Sequence, residues 1–282
     1  MQSPDILFED NDILVIDKPP GYIVNRADTT VNQPTIQEWV GLSPGSGPLR
    51  RSFSEASEDR RNGLSESEGV RLLDRRGCTP SGSETAVDVS DPGSEFEKRG
   101  GVVHRLDKET SGILIIAKNE ESFINLQTQF REGRVKKTYI GLCHGEIKPL
   151  EGEINIPIGR LPWNRMRFGV LPQGREARSK YKVLSIKYLE LNGVREPLSL
   201  VEVYPETGRT HQIRVHMQYI GHPIFSDELY AGRKISKRDR KLLPRHFLHA
   251  SKIRFEHPKT SENLEFESPL PSDLQDFVNT LL

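Results

Sequence analysis

His104-Arg105-Leu106-Asp107-Lys108-Glu109-Thr110-Ser111-Gly112 runs directly into Ile113-Leu114-Ile115-Ile116-Ala117-Lys118 and then into Asn119-Glu120-Glu121. The change of character along this stretch decides the fold. An apolar run of strand length, Gly112 to Lys118, with no polar alternation predicts a strand buried on both faces. Asn119 followed by two acids is a helix start, with Phe123, Leu126 and Phe130 on one face and Gly133 as the stop. The polar stretch from His104 to Ser111 is therefore a turn between the strand-like Val102-Val103 and a buried strand. Backbone on both sides would hold Asp107 there, with its carboxylate facing a cleft.

Upstream, Ile6-Leu7-Phe8 and Ile13-Leu14-Val15-Ile16 flank an acidic, Asn-bearing turn and read as a hairpin that ends at Lys18-Pro19-Pro20-Gly21. Downstream, strand signals recur at Thr138 to Cys143, Lys180 to Tyr188, Leu198 to Tyr204 and Ser251 to Phe255. A terminal helix opens at Ser272, with Leu274, Phe277, Val278 and Leu281 on one stripe. Successive strands outnumber helices and do not alternate with them, so the expectation is an α+β domain on a mixed, mainly antiparallel sheet flanked by helices and loops. No repeat of fixed period is present.

One catalytic domain over residues 1–282 is expected, interrupted by a low-complexity insertion at 43–99. That insertion is rich in Gly, Ser, Glu, Asp and Arg, and Phe53 and Phe96 are its aromatics, so it cannot bury enough to fold alone and reads as disordered. Net charge is +0, but the insertion holds about nine basic and eleven acidic residues, leaving the remainder slightly basic by roughly two charges. Any nucleic-acid contact must come from clustered cations. The longest apolar runs fall far short of a bilayer span of roughly 20 residues. The N-terminus lacks a basic region followed by an apolar one, so the expected location is the cytoplasm. Cys78 and Cys143 stand far apart, as a reducing compartment permits.

A second segment dense in chemical groups is Thr207-Gly208-Arg209-Thr210-His211-Gln212-Ile213-Arg214-Val215-His216. If Ile213, Met217 and Ile220 mark the buried side of a short helix, Arg214 projects beside that edge. A neighbouring arginine would keep an enclosed Asp107 ionised, because a carboxyl of ordinary pKa ~3.9 is raised by burial and lowered by an opposite charge. Spacing alone favours a turn or capping aspartate and a surface helix arginine. Two other signals are set aside. His211, His216, His246 and His249 come with neither an HExxH pattern nor cysteine partners, so no metal site is expected. Gly45-Ser46-Gly47 lies in low-complexity sequence rather than between a strand and a helix.

His104 to Gly112 resembles the HRLDxxTSG signature of the RluA-type RNA pseudouridine synthases and matches it at every fixed position. Lys18-Pro19-Pro20-Gly21 and Lys136-Lys137-Thr138-Tyr139 resemble further motifs of that family, in the same order. So do Gly208 to His216 with Gly221-His222-Pro223-Ile224, and Leu248-His249-Ala250 with Phe255-Glu256-His257-Pro258. The resemblance covers roughly residues 6 to 42 and 100 to 282. It implies Asp107 as the catalytic aspartate, Tyr139 as the ring stacked on the target base and Arg214 as the ion-pair partner of Asp107. Arg105 would help occupy the space left by the flipped uridine, and Ile213 would form apolar wall. His104, Thr210 and His211 complete the expected substrate-binding set.

The implied reaction cleaves the C1′–N1 bond of a uridine, turns the uracil and rejoins it through C5. It is redox neutral, so neither metal nor other cofactor is expected. Asp107 would add to the base or to the sugar, or assist loss of the C2′ proton, and Tyr139 or a water would take the C5 proton. The expected partner is tRNA or rRNA, met by a monomer. Arg131, Arg134, Lys136 and Lys137, and then Lys234, Lys237, Arg238, Arg240, Lys241 and Arg245, are the candidate phosphate contacts. Arg160, Trp163, Arg165, Arg167 and Phe168 suit unpaired bases, although core packing fits Trp163 as well. Many relatives carry an N-terminal S4-type domain, for which no room precedes Ile6. The alternatives are a non-catalytic RNA-binding protein of the same fold and a glycosidase pairing Asp107 with Glu109 or Glu206.

Overall fold

The Asp10 carboxylate accepts from the backbone N–H groups of Asp12 and Ile13, at 2.8 and 2.7 Å. This side-chain turn folds strand β1 (Asp5–Glu9) back onto β2 (Ile13–Lys18). A computed structural model describes residues 2–25, 33–42 and 94–282 of the chain. β2 pairs antiparallel with β3 (Ser111–Ala117), whose seven residues are all buried. Both faces are covered. Ile13, Val15, Ile113 and Ile115 pack towards Phe123 and Leu126, while Leu14, Ile16, Leu114 and Ile116 pack towards Ile36 and Val40. The helices that supply these partners are α1 (Ile36–Leu42) and α3 (Glu120–Arg131), the latter capped by Asn119 as expected. Coverage on both faces explains an apolar run without alternation.

The expected insertion is corrected at its end. Residues 43–93, including Gly45-Ser46-Gly47 and Cys78, lie outside the described residues, but α2 (Glu95–Arg99) is a helix with a reciprocal capping box between Ser94 and Glu97. Phe96 packs against both core clusters, so this turn is nailed to the domain by one of the two aromatics that composition had assigned to the insertion.

The chain continues through β4 (Lys136–His144), β5 (Glu151–Asn155), β6 (Ile158–Leu161), β7 (Asn164–Val170), β8 (Arg178–Leu191) and β9 (Val194–Pro205). It then forms α4 (Gln212–Tyr219), α5 (Arg233–Asp239), β10 (Leu248–Glu256), β11 (Asn263–Glu267) and α6 (Ser272–Asn279). Nine strands form one mixed sheet in the order β1-β2-β3-β10-β4-β9-β8-β5 with β11 beside β10, and β6 and β7 form a separate ribbon. Among the described strands β3 and β10 make the parallel pair, and the other pairs are antiparallel.

A single cross-strand row organises the functional region: Lys18, Gly112, Ala250, Tyr139 and Val203 lie side by side on five neighbouring strands. Gly112 has φ 112°, and a Cβ there would sit 2.2 Å from the Ala250 carbonyl oxygen. Only glycine lets β10 approach as β3 leaves the Asp107 turn. Gly112 therefore both ends that turn and starts the parallel pair.

Candidate active site

The Asp107 turn, the start of β4 and the segment before α4 converge on one cavity of about 340 Å³, whose lining includes all eight residues singled out above: His104, Arg105, Asp107, Tyr139, Thr210, His211, Ile213 and Arg214. Arg214 donates from Nη1 to Asp107 Oδ2 at 2.8 Å. On its other edge Nε and Nη2 donate to the two carboxylate oxygens of the fully buried Asp227, at 2.6 and 2.9 Å. The guanidinium is thus fixed by a fork against Asp227 and presents its remaining nitrogen to Asp107. Burial works to raise the Asp107 carboxyl, but Arg214, with His211 and His246, outweighs it and holds the pKa down to about 2. Asp107 is charged at neutral pH, with a side chain 17% exposed towards the cavity.

Asp227 was not among the residues expected. Its carboxylate also accepts from the backbone of Leu229 and Tyr230 at 2.9 and 3.1 Å, and it follows Ser226, whose φ of 61° turns the chain sharply. The Tyr230 ring centre lies 5.1 Å from the Arg214 guanidinium carbon, and its hydroxyl meets His211 Nδ1 at 2.9 Å while accepting from the Phe168 N–H. The Nε2 of His211 lies 3.9 Å from Asp107 Oδ1. Burial lowers the His211 pKa to about 4, so this ring is neutral at neutral pH. Gln212 locks the same segment: its amide oxygen accepts from Thr207 and the Arg209 N–H, and its amide nitrogen donates to Arg178 and Ser179.

Tyr139 is half-buried on the cavity wall with Ile213 and Leu248. Burial and then the nearby Asp107 charge push its phenol up, so it rests protonated. His104 lines the cavity but faces partly inward: Nε2 accepts from the Ile115 N–H at 2.9 Å, and its ring stacks on Phe130 at 4.7 Å. It splices the turn onto β3. Burial, then Lys137 and Arg99, lower its pKa to about 3. The unfolded chain takes up this proton near pH 6.5 and the native one does not, so stability is intact above pH 6.5 and declines as pH falls towards 3. Urea denaturation is expected to show His104→Gln relieving about 3 kcal/mol of the loss at pH 4. An unchanged pH dependence in that variant would contradict a neutral, accepting His104.

Lys18 is the other unforeseen member. Fully buried, it donates to the carbonyls of Pro19, Tyr22 and Lys108 at 3.1, 3.2 and 3.3 Å, clasping the turn that carries Asp107 to the end of β2. Burial lowers its pKa to about 7 against the pull of Asp107. Glu109 supports the turn from the opposite side: its carboxylate takes a two-nitrogen fork from Arg240 at 3.0 and 2.7 Å and lies 3.1 Å from His246, which also meets Thr110 at 2.8 Å. Burial opposes its ionisation, yet His246 and Arg240 hold its carboxyl well below the usual range.

These contacts remove the paired-acid alternative. Glu109 points into ion pairs, and Glu206 sits at the surface with Lys180 and Arg178, so Asp107 is the carboxylate on the cavity wall among the described residues. The histidines first weighed as metal ligands are likewise engaged separately: His216 with Ser179 and Ile156, His249 with Ser111 and Ser268. The expected cation clusters divide. Arg131 and Lys137, joined by Arg99, Arg105 and Arg209, rim the cavity, whereas Arg134, Arg238 and Arg245 are spent on Glu256, Glu196 and Asp273. Trp163 is 75% exposed, which excludes core packing.

The chain belongs to the RNA pseudouridylate synthase family, whose model matches residues 12–219. An uncharacterised RNA pseudouridine synthase of Chloroflexus aurantiacus is 43% identical over 179 residues, covering 64% of this chain and 52% of the relative. The ribosomal large subunit pseudouridine synthase D of Nitrosomonas europaea is 34% identical over 95% of this chain and 62% of its own length. The chain thus spans between half and two thirds of these curated relatives. The structure of human RNA pseudouridylate synthase domain containing 1 shares the fold at a TM-score of 0.62 and 24% identity, covering 98% of this chain and 87% of that one. Among the described residues no helix is long and apolar enough to cross a membrane.

Proposed function

We propose that this chain isomerises specific uridines in RNA to pseudouridine, with Asp107 as the reacting carboxylate. The observation that carries the reading is the ion-paired Asp107–Arg214–Asp227 arrangement opening onto a cavity with one apolar and aromatic side and a cationic rim. A flipped uracil needs a ring to stack on and a wall to turn against, which Tyr139, Ile213 and Leu248 provide. Its phosphates need cations at the mouth.

Asp107 acts as an ionised group, adding to the base or to C1′ or assisting removal of the C2′ proton, while Arg214 keeps it charged and aimed. After the uracil has turned and C5 has bonded to C1′, the C5 proton leaves to water or to Tyr139. The phenol's resting proton disfavours Tyr139 as that base and favours water. His104 serves this scheme by positioning the turn, and Thr210, His211 and Arg105 by facing the nucleotide.

Among RNA classes, the likeness to a relative named for the large ribosomal subunit favours rRNA, with tRNA as the second class, met in the cytoplasm by a monomer. The non-catalytic reading has no comparable support, because the ion-paired carboxylate is intact. Pseudouridine mapping of total RNA from cells with and without the gene tests the proposal. One or a few uridines are expected to lose modification and regain it with the native gene. An unchanged map would leave a binding role as the better account.

A further inference from the structure

Tyr230 is shared between the Asp107 network and a second, open groove of about 690 Å³. Arg167, Arg233, Lys237 and Arg240 line this groove, and Glu228 is the acid among its lining residues. Arg233 and Lys237 stand four residues apart on α5, hence on one helical face. Both are exposed and without an ion pair among the described residues. Arg167 lies over the Tyr230 ring, 5.3 Å from its centre, and its Nε is buried with no hydrogen-bond partner. Arg240 repeats the pattern: Glu109 occupies both terminal nitrogens, and its Nε is buried and unpartnered. Glu228 is itself 70% exposed and reaches no closer than 3.8 Å to Arg240. Three cations without an ion pair among the described residues, Arg167, Arg233 and Lys237, therefore share the groove with one loosely engaged acid, while Arg240 is held by Glu109 at its edge. Arg167 and Arg240 each keep a buried Nε without a partner.

We propose that this groove is a phosphate-binding subsite for the RNA strand, gripping the backbone beside the nucleotide held at Asp107. The proposal rests on reading the first cavity as the uridine site. Continuity favours RNA over an acidic peptide: the Tyr230 ring carries Arg214 of the ion pair at 5.1 Å as well as Arg167 of the groove, so one strand can serve both. The β6–β7 ribbon that supplies Arg167 also exposes Trp163 and Met166, each 75% accessible, which are apolar surfaces suited to unstacked bases. An open trough of spaced cations matches a polyanion better than a single small anion, which an enclosed site would suit.

The test uses the full chain and a fluorescein-labelled RNA stem-loop with a uridine-rich loop, titrated over a range of salt concentrations. Arg233→Gln with Lys237→Gln removes two surface charges without touching the core. A matched change outside both cavities, Lys148→Gln with Lys259→Gln, serves as the control. Each lost phosphate contact lowers the slope of log K against log salt by about 0.7 to 0.9, so the groove variant is expected to lose about 1.5 from the slope and to bind roughly tenfold more weakly at moderate salt. The control is expected to keep the native slope. If the native chain binds and the groove variant matches it, the subsite is refuted while the uridine cavity stands. If the native chain fails to bind even at low salt, both readings fall together. If polyglutamate competes with RNA as well as unlabelled RNA does, the groove is an acidic-peptide site and the proposal is overturned.

Discussion

Asp107→Asn is expected to abolish pseudouridine formation, lowering turnover by at least about 10⁴-fold, the scale of removing a group that reacts directly with substrate. The substitution is nearly isosteric, and the Asn carbonyl oxygen can still accept from Arg214 Nη1. Arg214 also keeps its fork to Asp227, so the fold has no reason to fail. What disappears is the negative charge that Arg214, His211 and His246 stabilise, which holds the native carboxyl ionised down to a pKa of about 2. Purified native and variant chains, matched by circular dichroism and incubated with RNA from cells lacking the gene, provide the comparison. More than a tenth of native turnover in the variant would remove Asp107 from the chemistry. Between about pH 4 and the range where other groups titrate, native activity is expected to show no limb from Asp107, since its carboxyl stays ionised throughout.

Asp227→Ala is expected to be the more damaging change to the molecule as a whole. It strips two charge-assisted hydrogen bonds from a guanidinium that is itself buried, leaving a cation half-paired in a low-dielectric interior. Breaking one partner of such a pair costs about 3–5 kcal/mol. It also frees Arg214 to rotate off Asp107, so turnover at a permissive temperature is expected to drop by about 10²-fold or more beyond any loss of folded protein. Urea denaturation supplies the stability term, and single-turnover rates normalised to folded fraction supply the other. Asp227→Asn, which keeps the shape and one acceptor, is expected to recover part of both. A variant with native stability would mean that Arg214 does not depend on Asp227.

The turn from His104 to Gly112 and the strand and helix that follow it were legible because each carries a local cause: a buried run, an Asn cap and a glycine that one close approach demands. Asp107, Arg214 and Tyr139 were brought together before any coordinates by the family resemblance of their motifs, since spacing alone left Asp107 as a capping residue and Arg214 as a surface cation. The roles of Asp227 and Lys18 were not legible. Asp227 acts through a buried arginine and local backbone, and an aspartate before Glu-Leu-Tyr looks like ordinary surface; Lys18 was read as part of a motif, but its clasp on the Lys108 carbonyl joins segments far apart in sequence. β11 alternates cleanly as Asn263-Leu264-Glu265-Phe266-Glu267 but is only five residues long, and in β7 the alternation of Met166, Phe168 and Val170 was read as interleaved arginines and aromatics. Residues 94–99 were misassigned because composition averaged over the long polar stretch concealed the single Phe96 that anchors its end.

Ser111 and His249, which meet at 3.0 Å across the parallel β3–β10 pair, are 138 residues apart in the chain. β1–β2, β8–β9 and β10–β11 are hairpins that local segments can form early, whereas β2–β3, β4–β9 and β4–β10 each close a long loop and the β3–β10 contact closes the longest. Because β3 begins where the Asp107 turn ends, the geometry of the Asp107 turn is coupled to the longest-range join in the sheet. During refolding, far-UV signal is expected to return ahead of activity, and newly made chains become competent only after their C-terminal strand has left the ribosome.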